Sequence, residues 1–221
     1  MSEPKWLILT ALTMEAKAIT AACGQWLAPE GGSAAIRVIG IRGNRLNDTM
    51  LLGAKGIILA GLAGGLDPQL KAGDVVIGSA DGRWPGLSYR RGGICTSDHI
   101  ITAREEKRQL FEQTGALAVD METEIVRRAA QQAGLPMATV RAISDPADQD
   151  LPSGMERWID GQGRVRIGVL AGEILRRPGN LPGLVRLGRQ SRLAAASLGA
   201  AMNLILRIEL TPSPTGAIRD Q

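Results

Sequence analysis

An α/β fold, built on a largely parallel sheet with helices over both faces, is what this sequence predicts. Three observations carry that expectation. Strand-length apolar runs bounded by turn residues recur along the chain, as in KWLILTAL, GIILAG and GDVVIGS. Segments of helical period separate them. The core must also be aliphatic, because 44% of the 221 residues are apolar while only six are aromatic, namely four Trp, one Tyr and one Phe. Such a composition excludes a disordered or collagen-like chain. The length suits one compact domain over residues 1–210, with Thr211–Gln221, which carries two prolines and a glycine, expected to fray.

The elements follow in order. Lys5–Leu12 is the first strand, and Thr13 then caps a helix through Met14, Ala18, Ile19 and Ala22 that Gly24 ends. Ala35–Ile41 is the second strand and Leu46–Leu52 a helical segment. Gly56–Gly61 is a buried strand running into a glycine-rich turn, Leu62-Ala63-Gly64-Gly65, and Gly73–Ser79 is a further strand. Helices are expected over Arg104–Gln113 and Met121–Ala133, with a strand at Leu135–Ile143 after them. Two more helices, Arg164–Arg177 and Leu181–Arg207, are separated by Pro178-Gly179.

Composition removes several functions. Two cysteines, Cys23 and Cys95, give no disulfide framework, and with a single histidine neither a zinc site nor histidine-cluster catalysis is expected. No metal and no cofactor are implied. The N-terminus MSEPKW lacks a signal-peptide pattern, and no apolar stretch approaches the ~20 uncharged residues of a spanning helix, so a soluble cytoplasmic protein is expected. Charge is uneven. From Arg164 onward nine Arg face three acidic residues, a local net of +6, so the preceding 163 residues carry 17 basic and 19 acidic groups. That basic segment suits a solvated helix face or peripheral contact with an anionic membrane surface. No nucleic-acid partner is expected, because the arginines are not interleaved with stacking aromatics.

Three motifs carry chemical potential. AGLAGGL, Ala60–Leu66, follows a buried strand, and its small residues, Ala63 and Gly64 among them, let backbone approach a ligand. It is neither a dinucleotide fingerprint nor a P-loop, since GxGxxG spacing and GK[ST] are both absent. VDME, Val119–Glu122, lies at a helix start, where the dipole favours carboxylates. VRAISD, Val140–Asp145, is a buried strand running into a Ser-Asp turn at the sheet's carboxyl edge.

In that order and spacing, AGLAGGL…GDVVI, AVDMET and VRAISDPAD resemble the nucleoside phosphorylase/nucleosidase superfamily, from the first strand to about Asp150. The resemblance implies a three-layer α/β/α sandwich around a mixed, mostly parallel sheet, with a homo-oligomer and a small-molecule nucleoside as partners. Beyond Asp150 the stretches DPADQDLPSG, GRVRI and LRRPGNLPGLVRLGRQSRLAAASL look like the hopanoid-associated branch, which is linked to removing adenine from adenosylhopane. Residue by residue, the likeness implies that Asp145 protonates the leaving purine and Ser144 orients it. Glu122 would accept from the ribose hydroxyls and Met121 would pack beneath the sugar. Arg141 would hold Glu122 or touch the sugar hydroxyls, and Glu15 in TMEAKAI would activate water. Ile100 and Ile101 would lie where backbone contacts adenine, and His99 is read as a surface residue. An acid on the purine and a carboxylate facing an oxocarbenium-like sugar are what N-glycosidic cleavage requires.

Two departures stand out. Where phosphorylases place an Arg and a hydroxyl for phosphate, this chain has Leu59 and Leu62, which cannot donate to an anion. Water is therefore the expected nucleophile, unless Arg42 and Arg45 compensate. The segment between Ser79 and Thr96 is also short, with room for one strand or loop. An open site for a bulky 5′ substituent, a phosphorolytic enzyme and a catalytically silent nucleoside-binding protein are the readings left open.

Overall fold

A computed structural model of the chain describes residues 5–27, 33–79, 84, 86–152, 172, 179 and 181–211. In chain order they form β1 (Lys5–Thr10), α1 (Thr13–Cys23), β2 (Ala34–Val38), β3 (Ala54–Gly65), β4 (Val75–Ser79), β5 (Arg90–Arg91), β6 (Ile94–Thr96), α2 (Arg104–Thr114), β7 (Ala118–Asp120), α3 (Thr123–Gln132), β8 (Met137–Asp145) and α4 (Leu181–Leu210). The sheet runs β2-β1-β3-β8-β4-β5. β1 pairs β2 and β3 in parallel and β3 pairs β8 in parallel, whereas β4 lies antiparallel to β8. The far end of β3, Gly64-Gly65, also pairs antiparallel with β7, which carries β6 beside it.

Both faces of the sheet are covered, as a mostly parallel sheet requires. Alternate residues of β1 and β3 divide between them. Trp6, Ile8, Ile58 and Ala60 pack with Val140 and Ala142 of β8, Ile19 of α1, and Leu198, Met202 and Ile205 of α4. Leu7, Leu9, Ile57 and Leu59 pack on the other face against Val126 and Ala130 of α3. α4 is long and apolar enough, by length and composition, to cross a membrane. Its stripe of Ala194, Leu198, Ala201, Met202 and Ile205 is nevertheless fully buried in the core.

Several sequence expectations need correction. The glycine-rich AGLAGGL is no turn. It is the second half of β3, kept extended because β8 pairs it on one side up to Gly64. Thr13 is the first helical residue of α1 and not its cap. The capping position is Leu12, whose N–H is taken by the Glu15 carboxylate at 2.8 Å. The segment expected as helix at Leu46–Leu52 makes only a short 3-10 turn, Asp48–Leu51, capped by the Asn47 side chain. Asp120 closes a strand, β7, and α3 begins at Thr123 and not at Met121. The helix expected over Arg164–Arg177 and the tail beyond Thr211 lie outside the described residues.

Leu198 is completely buried between α4, α1 and the sheet. Leu198→Ala should destabilise the fold by about 2–5 kcal/mol through lost transfer energy and the cavity left behind. Urea denaturation checks this, with the m-value expected to stay constant.

Candidate active site

The carboxyl ends of β1, β3 and β8, with the loop after β7, bring one arginine and three carboxylates together out of water. Arg141 on β8 is fully buried and pairs in register with Gly61 of β3. Its guanidinium makes a close ion pair with Asp120 and lies 3.9 Å from Glu122 Oε2. Glu15 arrives from the first turn of α1. One of its oxygens accepts from Leu12 N–H and the other from Leu62 N–H of β3, both at 2.8 Å. Gly61 is what allows this approach. A Cβ there would stand 2.3 Å from Arg141 Nη1 and 2.9 Å from Glu15 Oε1.

Energetically this is a cluster that resists full ionisation. Three carboxylates and one guanidinium would carry a net charge of −2, and burial opposes it. Desolvation pushes Glu15 up to about 7, against the two backbone N–H donors and the field of Arg141. Burial raises Glu122 too, against Arg141 and the Arg42 N–H that donates to its Oε1 at 2.9 Å. That N–H is presented from a 3-10 turn, Ile41–Gly43, in which Arg42 takes a left-handed backbone (φ 56°). Burial works against Arg141, but Asp120, Glu122 and Glu15 outweigh it and hold its pKa above the ordinary value. Among the described residues, Arg141 Nε and Nη1 find no hydrogen-bond acceptor.

Three residues further along β3, roughly 10 Å of strand, stands a second buried charge. The β3–β8 register shifts between Ala63 and Gly64, and this bulge leaves Asp145 opposite Gly64. A Cβ on Gly64 would stand 3.2 Å from Asp145 Oδ2. Ser144 donates to Asp145 Oδ1 at 2.6 Å and lies 3.3 Å from the Ala63 carbonyl. Lys107 of α2 donates to Asp145 Oδ2 at 2.6 Å. Burial raises the Asp145 pKa, and Lys107 and Ser144 pull against that rise.

The predicted residues thus separate into two groups joined by β3. Glu15, Glu122 and Arg141 gather at Gly61, and Ser144 and Asp145 at Ala63 and Gly64. Arg141 does not chiefly hold Glu122, however. Its nearest partner is Asp120, and Glu122 is fixed instead by the Arg42 backbone. Met121 is half-buried beside Glu122. Ile101 turns its side chain into an apolar cluster with Leu66, Ala116 and Val119, while Ile100 is partly exposed. Leu59 is buried against Leu9 and Ile57 in the core on the α3 face. His99 is a surface residue, held between Asp98 and Glu106 at 2.7 and 2.9 Å. Asp120 and Lys107 were missed. Asp120 lies inside the quoted VDME motif, but its partner sits 21 residues away; Lys107 sits in a charged helix like any solvated lysine.

The fold is of nucleoside phosphorylase type, with carboxylates at the carboxyl edge of its central strands. Residues 80–175 match the family model of the phosphorylase superfamily. A 5′-methylthioadenosine/S-adenosylhomocysteine nucleosidase of Tolumonas auensis is 28% identical over 145 residues, which cover 47% of this chain and 62% of that relative. The Helicobacter pylori enzyme of the same name superposes with a TM-score of 0.67 at 17% identity, covering 94% of this chain and 100% of that one. Futalosine hydrolase from Helicobacter pylori gives a TM-score of 0.64 at 19% identity, over 94% and 98% of the two chains. The Helicobacter pylori nucleosidase has also been solved, as a variant, with 5′-methylthioadenosine in its active site. The fold is that of the nucleosidases, and the chain is similar in sequence to the phosphorylase superfamily over less than half of its length.

Removing the nearest counter-charge of a fully buried guanidinium should be costly. Asp120→Ala is expected to lower stability by about 3–5 kcal/mol, measured by urea unfolding. Arg127→Ala, which removes an exposed ion pair with Glu124, serves as a control expected to cost less than about 1 kcal/mol.

Proposed function

We propose that the chain hydrolyses the N-glycosidic bond of an adenine nucleoside, with water as the nucleophile. The observation that carries this reading is Glu15. It is a fully buried carboxylate, oriented by two backbone N–H groups, with a pKa pushed up to about 7 at the carboxyl edge of β1. A group of that strength can take a proton from water near neutral pH. The named activities of the superfamily relatives, nucleosidases and a futalosine hydrolase, agree with it.

The chemistry distributes over the two groups. Water attacks C1′ and gives a proton to Glu15, while the electrons of the C1′–N bond leave with the base. Asp145, in its protonated form, gives a proton to the purine ring. Glu122 accepts from the ribose hydroxyls, and the carboxylates around Arg141 face the positive charge that develops on the sugar. The unsatisfied Arg141 N–H groups suit the sugar oxygens. The backbone of Ile100 and Ile101 is assigned to the base and Met121 to the sugar's apolar face. Leu62 offers the site only its N–H, already donated to Glu15, and Leu59 is in the core, so no phosphate ligand comes from either.

For the substrate, the hopanoid-type resemblance points to a bulky apolar 5′ substituent, as in adenosylhopane. The N-terminal half of α4 supports contact with a lipid surface, because exposed Leu181 and Val185 stand beside Arg186 and Arg189. A homo-oligomer is proposed on the resemblance alone.

Three outcomes test this reading. Adenine release from 5′-methylthioadenosine or adenosylhopane should be independent of phosphate and yield the free sugar; a sugar 1-phosphate as main product overturns the hydrolytic assignment. Because Glu15 must be ionised to act as base, kcat/KM should fall about tenfold per pH unit below 7, and Asp145→Asn should slow turnover at least ~10²-fold.

Glu122→Gln keeps the shape but loses the charge facing the sugar. A charged hydrogen bond contributes ~1.5–3 kcal/mol, so kcat/KM should drop about 10- to 150-fold. A 2′-deoxy substrate turned over as fast as the ribonucleoside would contradict this role.

A further inference from the structure

Lys107 is the one lysine of this chain that is completely buried, side chain included. Its ammonium has three protons and finds three acceptors: Asp145 Oδ2 at 2.6 Å, the Pro146 carbonyl at 2.9 Å and the Gln149 carbonyl at 3.2 Å. All three belong to the end of β8 and the loop that follows. That loop is fastened to the start of α2 twice more, by Leu151 N–H to the Thr102 carbonyl and by Arg104 N–H to Asp150 Oδ1. Its Gln149 also accepts from Gln190 of α4. An isolated lysine buried this deeply would be costly, and an apolar residue could fill the space. The geometry instead spends the whole donor set on fixing one carboxylate and its loop.

We infer that Lys107 is a positioning residue for the proton-donor step, aiming the Asp145 carboxyl group and stabilising the carboxylate left once its proton has passed to the purine. This rests on the proposed cleavage reaction. An acid is as strong as its conjugate base is well stabilised, and a buried ammonium at 2.6 Å stabilises the anion far more than water-exposed charge does. The charged group facing Asp145 from α2 is Lys107; β8 contributes the Ser144 hydroxyl, and β3 contributes only Gly64 at closest approach. Burial and Lys107 therefore oppose one another at this carboxyl. Glu15, near Arg141 and Glu122, belongs to the other group of charges and does not depend on Lys107.

The test is the pH profile of adenine release from 5′-methylthioadenosine by wild type, Lys107→Met, Lys107→Gln and Lys107→Arg. With the ammonium gone, Asp145 becomes a weaker acid. The alkaline limb should move up by at least one pH unit and the plateau kcat should drop tenfold or more, while the acid limb near 7, set by Glu15, stays in place. Lys107→Arg should restore the alkaline limb. A limb that does not move in the neutral variants, or that arginine fails to restore, reduces Lys107 to a packing residue and overturns the inference. If the neutral variants do not fold, the wild-type protein supplies the test by NMR without substrate. The Lys107 Nζ resonance should shift as the Asp145 carboxyl ionises, and an Asp145 carboxyl that titrates with no response at Lys107 overturns it. An uncleaved substrate with this coupling intact would count against the proposed reaction and leave the Lys107–Asp145 link standing.

Discussion

Charge at the centre of this sheet is possible because β3 has no side chain at two positions. At Gly61 the missing Cβ leaves the volume that Arg141 Nη1 and Glu15 Oε1 each approach, and at Gly64 it leaves room for the Asp145 carboxylate. β3 is also the strand on which the fold converges, paired with β1, β8 and, at its end, β7. One strand therefore sets the sheet and spaces the two charged groups along it. Any side chain at Gly61 would have to displace a buried guanidinium or a buried carboxylate, neither of which has water to retreat to.

The two groups solve the same desolvation problem differently. Around Arg141 there are more carboxylates than cations, and burial raises the pKa values of Glu15 and Glu122. Around Asp145 the charges match one to one, and the cation is saturated by a carboxylate and two carbonyls. A region poor in cations suits a developing positive charge, and a carboxyl backed by an ammonium suits proton delivery. The proposed glycosidic cleavage would draw on that asymmetry.

Departures from the phosphorylase pattern have a structural consequence as well. Leu59 is in the core on the α3 face, and Leu62 gives its N–H to Glu15. The Leu62 N–H is thus engaged in orienting a buried carboxylate. The backbone of β3 cannot do both at once, since each N–H has one proton to donate.

Much of this molecule is determined by its sequence alone. The apolar runs of β1, β3 and β8 are near-continuous because both faces of those strands are covered, so the strands are legible, although β3 reads as only Gly56–Gly61 of its Ala54–Gly65. Glu15, Glu122, Arg141, Ser144 and Asp145 could be singled out because each lies in a segment that resembles a motif of the superfamily. What only tertiary structure decided are the partners. AGLAGGL reads as a turn from its glycines, but it stays extended because β8 pairs along it to Gly64. Asp120 supplies the nearest counter-charge to Arg141 across 21 residues of chain, and Lys107 reaches Asp145 across 38. Neither pairing leaves a local trace, because an ion pair is set by distance in space and the energy of burial, and a lysine destined for the interior is spelled no differently from one on the surface.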